Sequence, residues 1–377
     1  MKVAFLTNYY NHHQKFLADE MYKLFGDGNY YFVETIDVPE FRRKMGYGYQ
    51  EVPSYVLKYN DKTKGRIDGI INEFDVVIYN SSAPLSLVKK RYVDGKLIFC
   101  YSERRYKTIS RYLKFPIYQY ISHYINKGYM LCAGAFVARD YVLSGLHIDK
   151  CFKWGYFPDV KHYEDVDSLI ASKNDNKDSS SCISILWVGR LIEWKHPETT
   201  VYIAKKLKGD GINFNISIIG IGSKEKSLKQ AIEKEGLDDC ICLLGSLPPV
   251  TVRAYMEKAD IFLFTSNRQE GWGAVLNESM NSACAVVASD AIGSVPYLID
   301  DGKNGLIYKS GDNDDLYNCI KSLIQDRDRR CMIQKNAYKT MAETWNAKVA
   351  ASNFLSLVNT IRNGGENMIT EGPCSQV

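Results

Sequence analysis

Residues 268–278 read Arg-Gln-Glu-Gly-Trp-Gly-Ala-Val-Leu-Asn-Glu, and this stretch decides both the fold and the candidate site. It follows the apolar run 260–266, which reads as a short buried strand. Gly271 and Gly273 permit a tight turn in which the backbone can approach a ligand, and an apolar helix begins directly after the turn. The first N–H groups of such a helix lack helical acceptors, so the turn predicts an anion site.

Two glutamates bracket this turn, with Glu270 in the loop and Glu278 about two helical turns further along. They cannot pair in the way that residues three or four apart on one helix face do. We therefore expect them to contact opposite ends of one ligand. Because solvated glutamates are common on helix faces, this interpretation needs a second element elsewhere in the chain.

The second element is an apolar strand that is followed by two cations. Residues 183–190 read Ile-Ser-Ile-Leu-Trp-Val-Gly-Arg, and Lys195 lies in the loop that follows. Open α/β sheets bind ligands at the carboxyl ends of their strands, where the planar guanidinium of Arg190 and the ammonium of Lys195 suit a diphosphate. The runs 214–222 and 239–246 are further strands that close on glycine. Their alternation with helical stretches predicts a parallel sheet.

The C-terminal half of the chain contains a series of glycine, aspartate and charged residues in a particular order. The set consists of Val188-Gly189-Arg190, Lys195, Gly220-Ile-Gly222, Leu244-Gly245, 260–266, Glu270-Gly271, Glu278 and 300–307. In this order the chain resembles the retaining glycosyltransferases of family 4. The resemblance is strong over residues 183–360 and covers the N-terminal half by general layout. It implies the α/β fold called GT-B, in which two Rossmann-like, doubly wound domains face each other across a cleft that holds the active site.

The resemblance also implies roles for individual residues. Arg190 and Lys195 would neutralise the diphosphate of a nucleotide-sugar donor. Glu278 would hold the ribose, and Glu270 would bind hydroxyls of the transferred sugar. Further donor contacts are expected from Gly189, Gly222, Gly271, Gly273, Ala274 and Val275.

The reaction that follows from these roles is transfer of the sugar to a hydroxyl of a glycan or a lipid-linked oligosaccharide, in surface polysaccharide biosynthesis. The resemblance implies retention at the anomeric carbon. Because Arg190, Lys195 and the helix N-terminus near Gly273 would stabilise the charge on the leaving phosphate, we expect neither a metal nor another cofactor. Two alternatives stay open: a nucleotide-sugar epimerase of the same fold, and a non-catalytic subunit that binds sugar nucleotides.

The N-terminal half departs from the family pattern where the chemistry is expected. Residues 8–14 read Asn-Tyr-Tyr-Asn-His-His-Gln in place of a glycine pair, and 102–105 read Ser-Glu-Arg-Arg where a histidine is common. Glu103 is a candidate contact to the donor sugar, and His12 or His13 is a candidate base toward the acceptor. Surface histidines and glutamates at helix starts are common without such a role.

The overall composition is that of an ordinary globular chain with two domains. With 48 basic and 44 acidic residues among 377, the net charge of +4 does not indicate a nucleic-acid partner. The first seven residues read as a strand rather than a signal peptide, and no apolar run reaches the roughly 18 residues of a transmembrane helix. We therefore expect a cytoplasmic protein. The ten cysteines and six histidines show no spacing typical of disulfides or a metal site.

Breaks in composition predict the domain organisation. The polar segment 171–182 is the predicted linker between an acceptor-binding domain, 1–170, and a donor-binding domain, 183–344. By resemblance, residues 345–362 form a terminal helix that crosses back to the N-terminal domain. The tail 363–377 contains two glycines and a proline and is predicted to be disordered.

One stretch of the N-terminal half is both basic and aromatic. Residues 89–127 hold ten basic residues and two acidic ones, interleaved with tyrosines. This composition suits peripheral contact with an anionic membrane on its inner face, through Arg104, Arg105 and Lys107. In the alternative, the tyrosines pack in the core and the lysines are solvated. RNA binding is disfavoured because no nucleic-acid module accompanies the stretch.

Overall fold

The computed structural model describes residues 1–40, 43, 49, 51–105, 109–174 and 182–377. Within these residues the chain forms two compact units. Unit 1 consists of Met1–Asp159 together with Trp345–Val377, and unit 2 consists of Val160–Thr344. Each unit is built on one parallel sheet with helices on its faces.

Unit 1 contains a seven-stranded parallel sheet in the order β3-β2-β1-β4-β5-β6-β7. Val3 lies opposite both Tyr30 and Val76, so the strand order reverses between β1 and β4. The central strands are buried on both sides, which is why they read as continuous apolar runs. The strands are β1 (Val3–Thr7), β2 (Tyr30–Glu34), β3 (Val56–Lys58), β4 (Val76–Asn80), β5 (Ile98–Ser102), β6 (Tyr129–Ala133) and β7 (Cys151–Trp154).

Among the described residues, five helices of unit 1 precede the boundary with unit 2. The side chain of Asn11 caps the first of them by accepting a hydrogen bond from the N–H of His13, 2.9 Å away. Arg91 is fully buried in the third, where its guanidinium donates to main-chain oxygens of Ile71, Phe74 and Leu97. The helices are α1 (His12–Phe25), α2 (Lys64–Glu73), α3 (Leu85–Val93), α4 (Phe115–Ile125) and α5 (Phe136–Val142).

Unit 2 contains a six-stranded parallel sheet in the order β10-β9-β8-β11-β12-β13. Ile185 lies opposite both Ile216 and Ile261, so the order reverses between β8 and β11. The first six strands of unit 1 have the same arrangement, which is that of a Rossmann-type sheet. The strands are β8 (Ile183–Val188), β9 (Phe214–Ile219), β10 (Ile241–Leu243), β11 (Ile261–Phe264), β12 (Ala285–Ser289) and β13 (Leu306–Tyr308).

The helices of unit 2 alternate with these strands. They are α6 (Val166–Asn174), α7 (Thr199–Gly209), α8 (Glu225–Glu235), α9 (Pro249–Lys258), α10 (Val275–Asn281), α11 (Val295–Leu298), α12 (Asn313–Gln325) and α13 (Arg327–Lys339). A single π-helical turn, Thr340–Thr344, follows α13. Helix α10 is the one that begins directly after the turn at Gly273.

The boundary between the units lies at Asp159, ahead of the predicted linker 171–182. Most of that predicted linker lies outside the described residues, and its first part belongs to α6. This helix is held in unit 2 by Lys173, whose buried ammonium donates to main-chain oxygens where α9 and α10 end. The acceptors are Met256 (3.2 Å), Ala259 (3.1 Å), Ser282 (2.7 Å) and Ala283 (2.7 Å).

The C-terminal segment completes unit 1. In helix α14 (Ala347–Arg362), the ring of Phe354 packs against the rings of Phe99 and Trp154. The sequence predicts the tail 363–377 to be disordered, but its last residues, 374–377, pair with the edge strand β7. Lys153 and the tail exchange two main-chain hydrogen bonds, of 2.7 and 2.8 Å, and Cys374 is fully buried. The tail thereby satisfies backbone groups that an open sheet edge would expose.

Candidate functional site

Lys195 and Glu270 form an ion pair where the strand order of unit 2 reverses. Lys195 lies in the loop after β8, and Glu270 lies in the loop after β11. The Lys195 ammonium donates to Oε2 of Glu270, and Ser266 Oγ donates to the same oxygen at 3.0 Å. The two side chains are 13% and 11% exposed, so the charges neutralise each other in a position with little water.

Hydrogen bonds tie the two loops together around this pair. Thr265 Oγ1 donates to the main-chain oxygen of Lys195 at 2.7 Å and accepts from Trp187 Nε1 at 2.9 Å. The N–H of Asn267 donates to the main-chain oxygen of Trp194 at 2.9 Å. These hydrogen bonds therefore hold the two loops together beside the Lys195–Glu270 pair.

Arg190 is the second cation of the loop after β8, and it is exposed. Its guanidinium lies over the Trp194 ring, 5.7 Å from the centroid, and the Lys195 ammonium lies over the same ring at 4.8 Å. No carboxylate in the described part of the chain pairs with Arg190. The loop therefore presents one cation that is already neutralised and one that is available to an anionic ligand.

Glycines bring the loops after β8 and β9 into direct backbone contact. Gly220 has φ 143°, and a Cβ there would lie 1.8 Å from the oxygen of Gly189. A Cβ on Gly222 would lie 2.3 Å from the oxygen of Leu191. Neither position accepts a side chain, so both glycines are required for the two loops to pack backbone against backbone beside Arg190.

The turn before α10 also requires glycine. Gly273 has φ 81°, and a Cβ there would lie 2.3 Å from the Phe264 ring. In the described residues, no acceptor receives the N–H groups of Gly271, Gly273, Ala274 and Val275. The structure therefore has the free donors that the sequence predicts at this position.

Glu278 lies in α10, and no hydrogen bond or ion pair joins its carboxylate to Lys195 or Glu270. Burial raises the pKa of this carboxyl above its ordinary value, and the positive charge of Arg253 opposes part of the shift. Within the described residues no side chain donates to it. Glu278 is thus a desolvated acceptor, and a ligand hydroxyl would satisfy it.

The candidate residues of unit 1 come together through Tyr156, which the sequence does not single out. The Tyr156 hydroxyl donates to Oε1 of Glu103 at 2.7 Å, and its ring stacks on the His13 imidazole with centroids 6.2 Å apart. The rings of His12 and His13 are 4.0 Å apart. Glu103 follows β5, the histidines follow β1 and Tyr156 follows β7, so three strand ends contribute.

Burial sets the protonation of this cluster. Burial, together with the charge of Glu103, raises the pKa of Tyr156 well above its ordinary value, so the phenol stays a donor at physiological pH. Burial lowers the pKa of His12, which keeps that imidazole neutral near pH 7. A neutral imidazole is able to accept a proton, and a fixed phenol is able to orient the Glu103 carboxylate.

The sequence pattern does not reveal Tyr156, because this residue belongs to none of the positions that carry the family resemblance. The residue lies two positions after the last strand of unit 1, among 27 tyrosines. Its position just after β7 is the signal that the sequence contains, because the carboxyl ends of all strands in a parallel sheet lie at one edge.

Two arginines that the sequence assigns to a membrane surface face the interior of unit 1. The Arg105 guanidinium lies 3.5 Å from the centroid of the Tyr141 ring and 4.6 Å from that of Tyr118. Arg104 Nε lies 3.6 Å from Asp140 Oδ2, and the Arg104 side chain is 14% exposed. The prediction of lipid contact at these arginines is therefore wrong, and Lys107 lies outside the described residues.

Known proteins match the segment that holds the Lys195–Glu270 pair. Residues 171–340 match the family model described as Glycosyl transferases group 1. The amylovoran biosynthesis glycosyltransferase AmsK of Erwinia amylovora is 36% identical over 135 residues, which are 34% of this chain and 33% of AmsK. The N-acetylgalactosamine-N,N'-diacetylbacillosaminyl-diphospho-undecaprenol 4-alpha-N-acetylgalactosaminyltransferase of Campylobacter jejuni is 30% identical over 161 residues, 43% of this chain and 42% of that enzyme. The chain thus spans less than half the length of each relative.

A solved structure matches nearly the whole chain. HepE of Anabaena, determined in complex with UDP, aligns with 96% of this chain and 100% of its own, with a TM-score of 0.72 at 15% identity. The chain has the GT-B fold. The fold class predicted from the sequence is confirmed. Units 1 and 2 are the two Rossmann-like domains of this GT-B fold, and the family model matches the second of them.

Proposed function

We propose that the protein transfers a sugar from a nucleotide-diphosphate donor to a hydroxyl of a glycan or lipid-linked oligosaccharide, with retention at the anomeric carbon. The observation that carries the proposal is the Lys195–Glu270 ion pair beside the available Arg190 at the switch point of unit 2. The match of residues 171–340 to group 1 glycosyl transferases supports this class of reaction. Similarity to AmsK, named for amylovoran biosynthesis, supports a role in surface polysaccharide assembly.

The donor diphosphate would meet two kinds of cation. Arg190 offers a planar fork for two phosphate oxygens, and Lys195 offers a compact charge. Gly189 and Gly222 carry no side chain, so phosphate groups would be able to approach the main chain there. The free N–H groups from Gly273 to Val275 add donors. HepE binds UDP, so UDP is the first nucleotide to test.

The ion pair couples the two halves of the donor. An arriving diphosphate would compete with Glu270 for the Lys195 ammonium. As Lys195 turns toward phosphate, the Glu270 carboxylate would lose its neutralising partner and accept hydrogen bonds from hydroxyls of the sugar. The Glu270 carboxylate would therefore become a hydrogen-bond acceptor for the sugar hydroxyls only when the diphosphate is in place.

The same groups account for departure of the nucleotide. When the bond between the anomeric carbon and the phosphate oxygen breaks, negative charge builds on the leaving diphosphate and positive charge builds on the sugar ring. Arg190 and Lys195 would stabilise the negative charge, and Glu270 would face the positive one. Electrostatic stabilisation by these two cations makes a metal ion unnecessary in this scheme.

The cluster of unit 1 would act on the acceptor and the sugar. We propose that His12 or His13 accepts the proton of the acceptor hydroxyl, because burial keeps the His12 imidazole neutral. Glu103, oriented by Tyr156, would accept a hydrogen bond from a sugar hydroxyl.

Time-resolved NMR of the protein with a panel of UDP-sugars tests the proposal. Thermal shift with each donor comes first, since a ligand at a hundred times its dissociation constant stabilises by roughly 2.7 kcal/mol. We expect transfer, or slow hydrolysis, with the anomeric configuration of the donor kept in the product. An epimerised donor would identify an epimerase instead, and binding without turnover would identify a non-catalytic subunit.

A further inference from the structure

Unit 1 has an apolar stripe that points away from its core. The 3-10 helix Ile109–Lys114 continues into α4, and on this segment Leu113, Ile117 and Tyr120 are 85%, 58% and 51% exposed. Steps of four and three residues place them on one helix face. We name these three residues the outer stripe. The opposite face packs inward through Tyr118, Ser122 and Ile125.

Singly exposed apolar residues are normal on protein surfaces and need no explanation. Three that line up on one face form a patch, and patches mark contact surfaces. The inward face of α4 is already buried without the outer stripe. The folding of unit 1 therefore does not account for the apolar character of the stripe.

Positive charge surrounds the outer stripe. Arg111 and Lys114 are exposed on the same segment, and residues 109–127 contain neither aspartate nor glutamate. From α3, the Lys89 ammonium donates to the Tyr120 hydroxyl at 3.3 Å. Lys127 lies over the Tyr124 ring, 5.7 Å from its centroid. The face thus combines apolar side chains, tyrosine hydroxyls and cations.

We propose that the outer stripe docks on the surface of an anionic phospholipid bilayer. Leu113 and Ile117 would enter the boundary of the acyl chains, Tyr120 would lie at the level of the headgroups, and the cations would contact lipid phosphates. Charge complementarity carries this choice of partner. A second copy of the same face would bring cations against cations, which is unfavourable.

The association is reversible. One short apolar stripe with a few cations supports peripheral binding, which weakens as salt screens the charges. In the part of the chain that the structure describes, no helix has the length and apolar character needed to cross a bilayer. The docking face also replaces the contact that the sequence assigns to Arg104 and Arg105, whose guanidinium groups pack inside unit 1.

Sedimentation of the full chain with vesicles tests this proposal. We compare pure phosphatidylcholine vesicles with vesicles that contain about one third phosphatidylglycerol, and expect binding to the anionic vesicles only. In about 0.5 M salt, that binding should fall at least tenfold. Arg111→Gln with Lys114→Gln should weaken it about fivefold for each charge removed. Leu113→Asp with Ile117→Asp should abolish it.

Val250→Asp is the matched control, because Val250 is 77% exposed on α9 of unit 2 and should bind vesicles as the wild type does. Thermal unfolding of each variant shows whether it is folded. Absence of wild-type binding to anionic vesicles overturns the proposal. Binding that survives Leu113→Asp with Ile117→Asp also overturns it, as does dimer formation through the stripe in light scattering. Turnover on a water-soluble acceptor should be unchanged in all variants, so this test is independent of the proposed function.

Discussion

Unit 1 and unit 2 share a strand order but differ in chemistry where that order reverses. Between β8 and β11 of unit 2, a lysine, a glutamate and bare glycine backbone come together. At the corresponding strand ends of unit 1, Ser82 Oγ donates to the Asn8 side chain, and Ser81 Oγ donates to Ser102 Oγ at 2.7 Å. The same position of the same fold is thus equipped for a charged ligand in one unit and for uncharged polar groups in the other.

The loop after β1 explains much of this difference. Where unit 2 has glycines, unit 1 has Tyr10, which is buried against Phe32 with ring centroids 5.3 Å apart. The N–H of Tyr10 donates to the Glu34 carboxylate, whose pKa burial raises. Side chains therefore fill the space that a phosphate would need, and a backbone N–H that would face an anion is already occupied. Under the proposed function, we therefore expect the diphosphate to bind at these strand ends of unit 2 and not at the corresponding strand ends of unit 1.

Replacing Glu270 by Gln should have the largest effect, because it removes the charged acceptor while keeping its size. We expect turnover to fall about a hundredfold, if the contact strengthens as the sugar gains positive charge. Affinity for UDP should stay the same or rise, since Lys195 loses its competing partner. Steady-state kinetics with the identified donor and titration with UDP measure both effects. Weaker UDP binding in Glu270→Gln would show that Glu270 contacts the nucleotide, which contradicts the proposed orientation of the donor.

Lys195→Ala and Arg190→Ala should each weaken UDP binding by about tenfold to a hundredfold, because each removes a charge-assisted contact. Uridine binding should change little in either variant. The two should differ in stability, since only Lys195→Ala leaves Glu270 in its poorly hydrated position without a counterion. Calorimetry with UDP and uridine, together with melting temperatures, checks this. Equal losses for UDP and uridine would contradict the assignment of a diphosphate site.

Tyr156→Phe tests the role of unit 1. It deletes the hydroxyl that donates to Glu103, and kcat/KM for the acceptor should fall about fivefold to tenfold, with UDP affinity unchanged. Tyr202→Phe is the matched control, because it removes a phenol–carboxylate hydrogen bond, to Asp314 at 2.6 Å, on the surface of unit 2. Weaker UDP binding in Tyr156→Phe would contradict the different roles of the two units. An equal loss of activity in Tyr156→Phe and Tyr202→Phe would contradict them as well.

Glu278→Gln should have the smallest effect on kinetics and a measurable effect on stability. Burial raises the pKa of Glu278 in the folded chain above its unfolded value of about 4.3, so the ionised form destabilises the fold above the folded pKa. The variant should therefore melt at a higher temperature than the wild type at pH 7. The gain should shrink as the pH falls through the folded pKa and vanish below about 4.3, where both states are protonated. UDP affinity should drop, and a gain that is independent of pH would contradict a desolvated carboxylate.

The strands and the separate site residues follow from local patterns. Ile183–Val188 and Ile261–Phe264 are observed inside the stretches predicted as strands, because strands covered on both faces read as continuous apolar runs. Lys195 and Glu270 were predicted as site residues from their places after these strands. That they form an ion pair was not predicted, because it depends on β8 and β11 being neighbours, which is a property of strand order and not of either segment.

The remaining differences between sequence and structure also depend on distant contacts. Arg105 is basic and follows a strand, yet it packs on Tyr141, which lies in α5. The tail 363–377 has the composition of a disordered segment, yet the open edge of β7 orders it. The boundary between the two units lies at Asp159 and not in the predicted linker 171–182. The reason is that Lys173 holds α6 in unit 2 by donating to main-chain oxygens at the ends of α9 and α10. In each case the partner lies too far along the chain for a local pattern to reveal it.

The divided chain of unit 1 has a consequence for synthesis on the ribosome. Residues 160–344 form unit 2 without interruption, whereas unit 1 also needs 345–377, from which Phe354 packs against Phe99 and Trp154. Domains usually fold in the order in which they are made. Here the unit that begins first is completed last. The nascent chain must therefore keep an unfinished apolar surface on unit 1 while unit 2 is translated, and a chaperone that binds aromatic side chains would protect it during that interval.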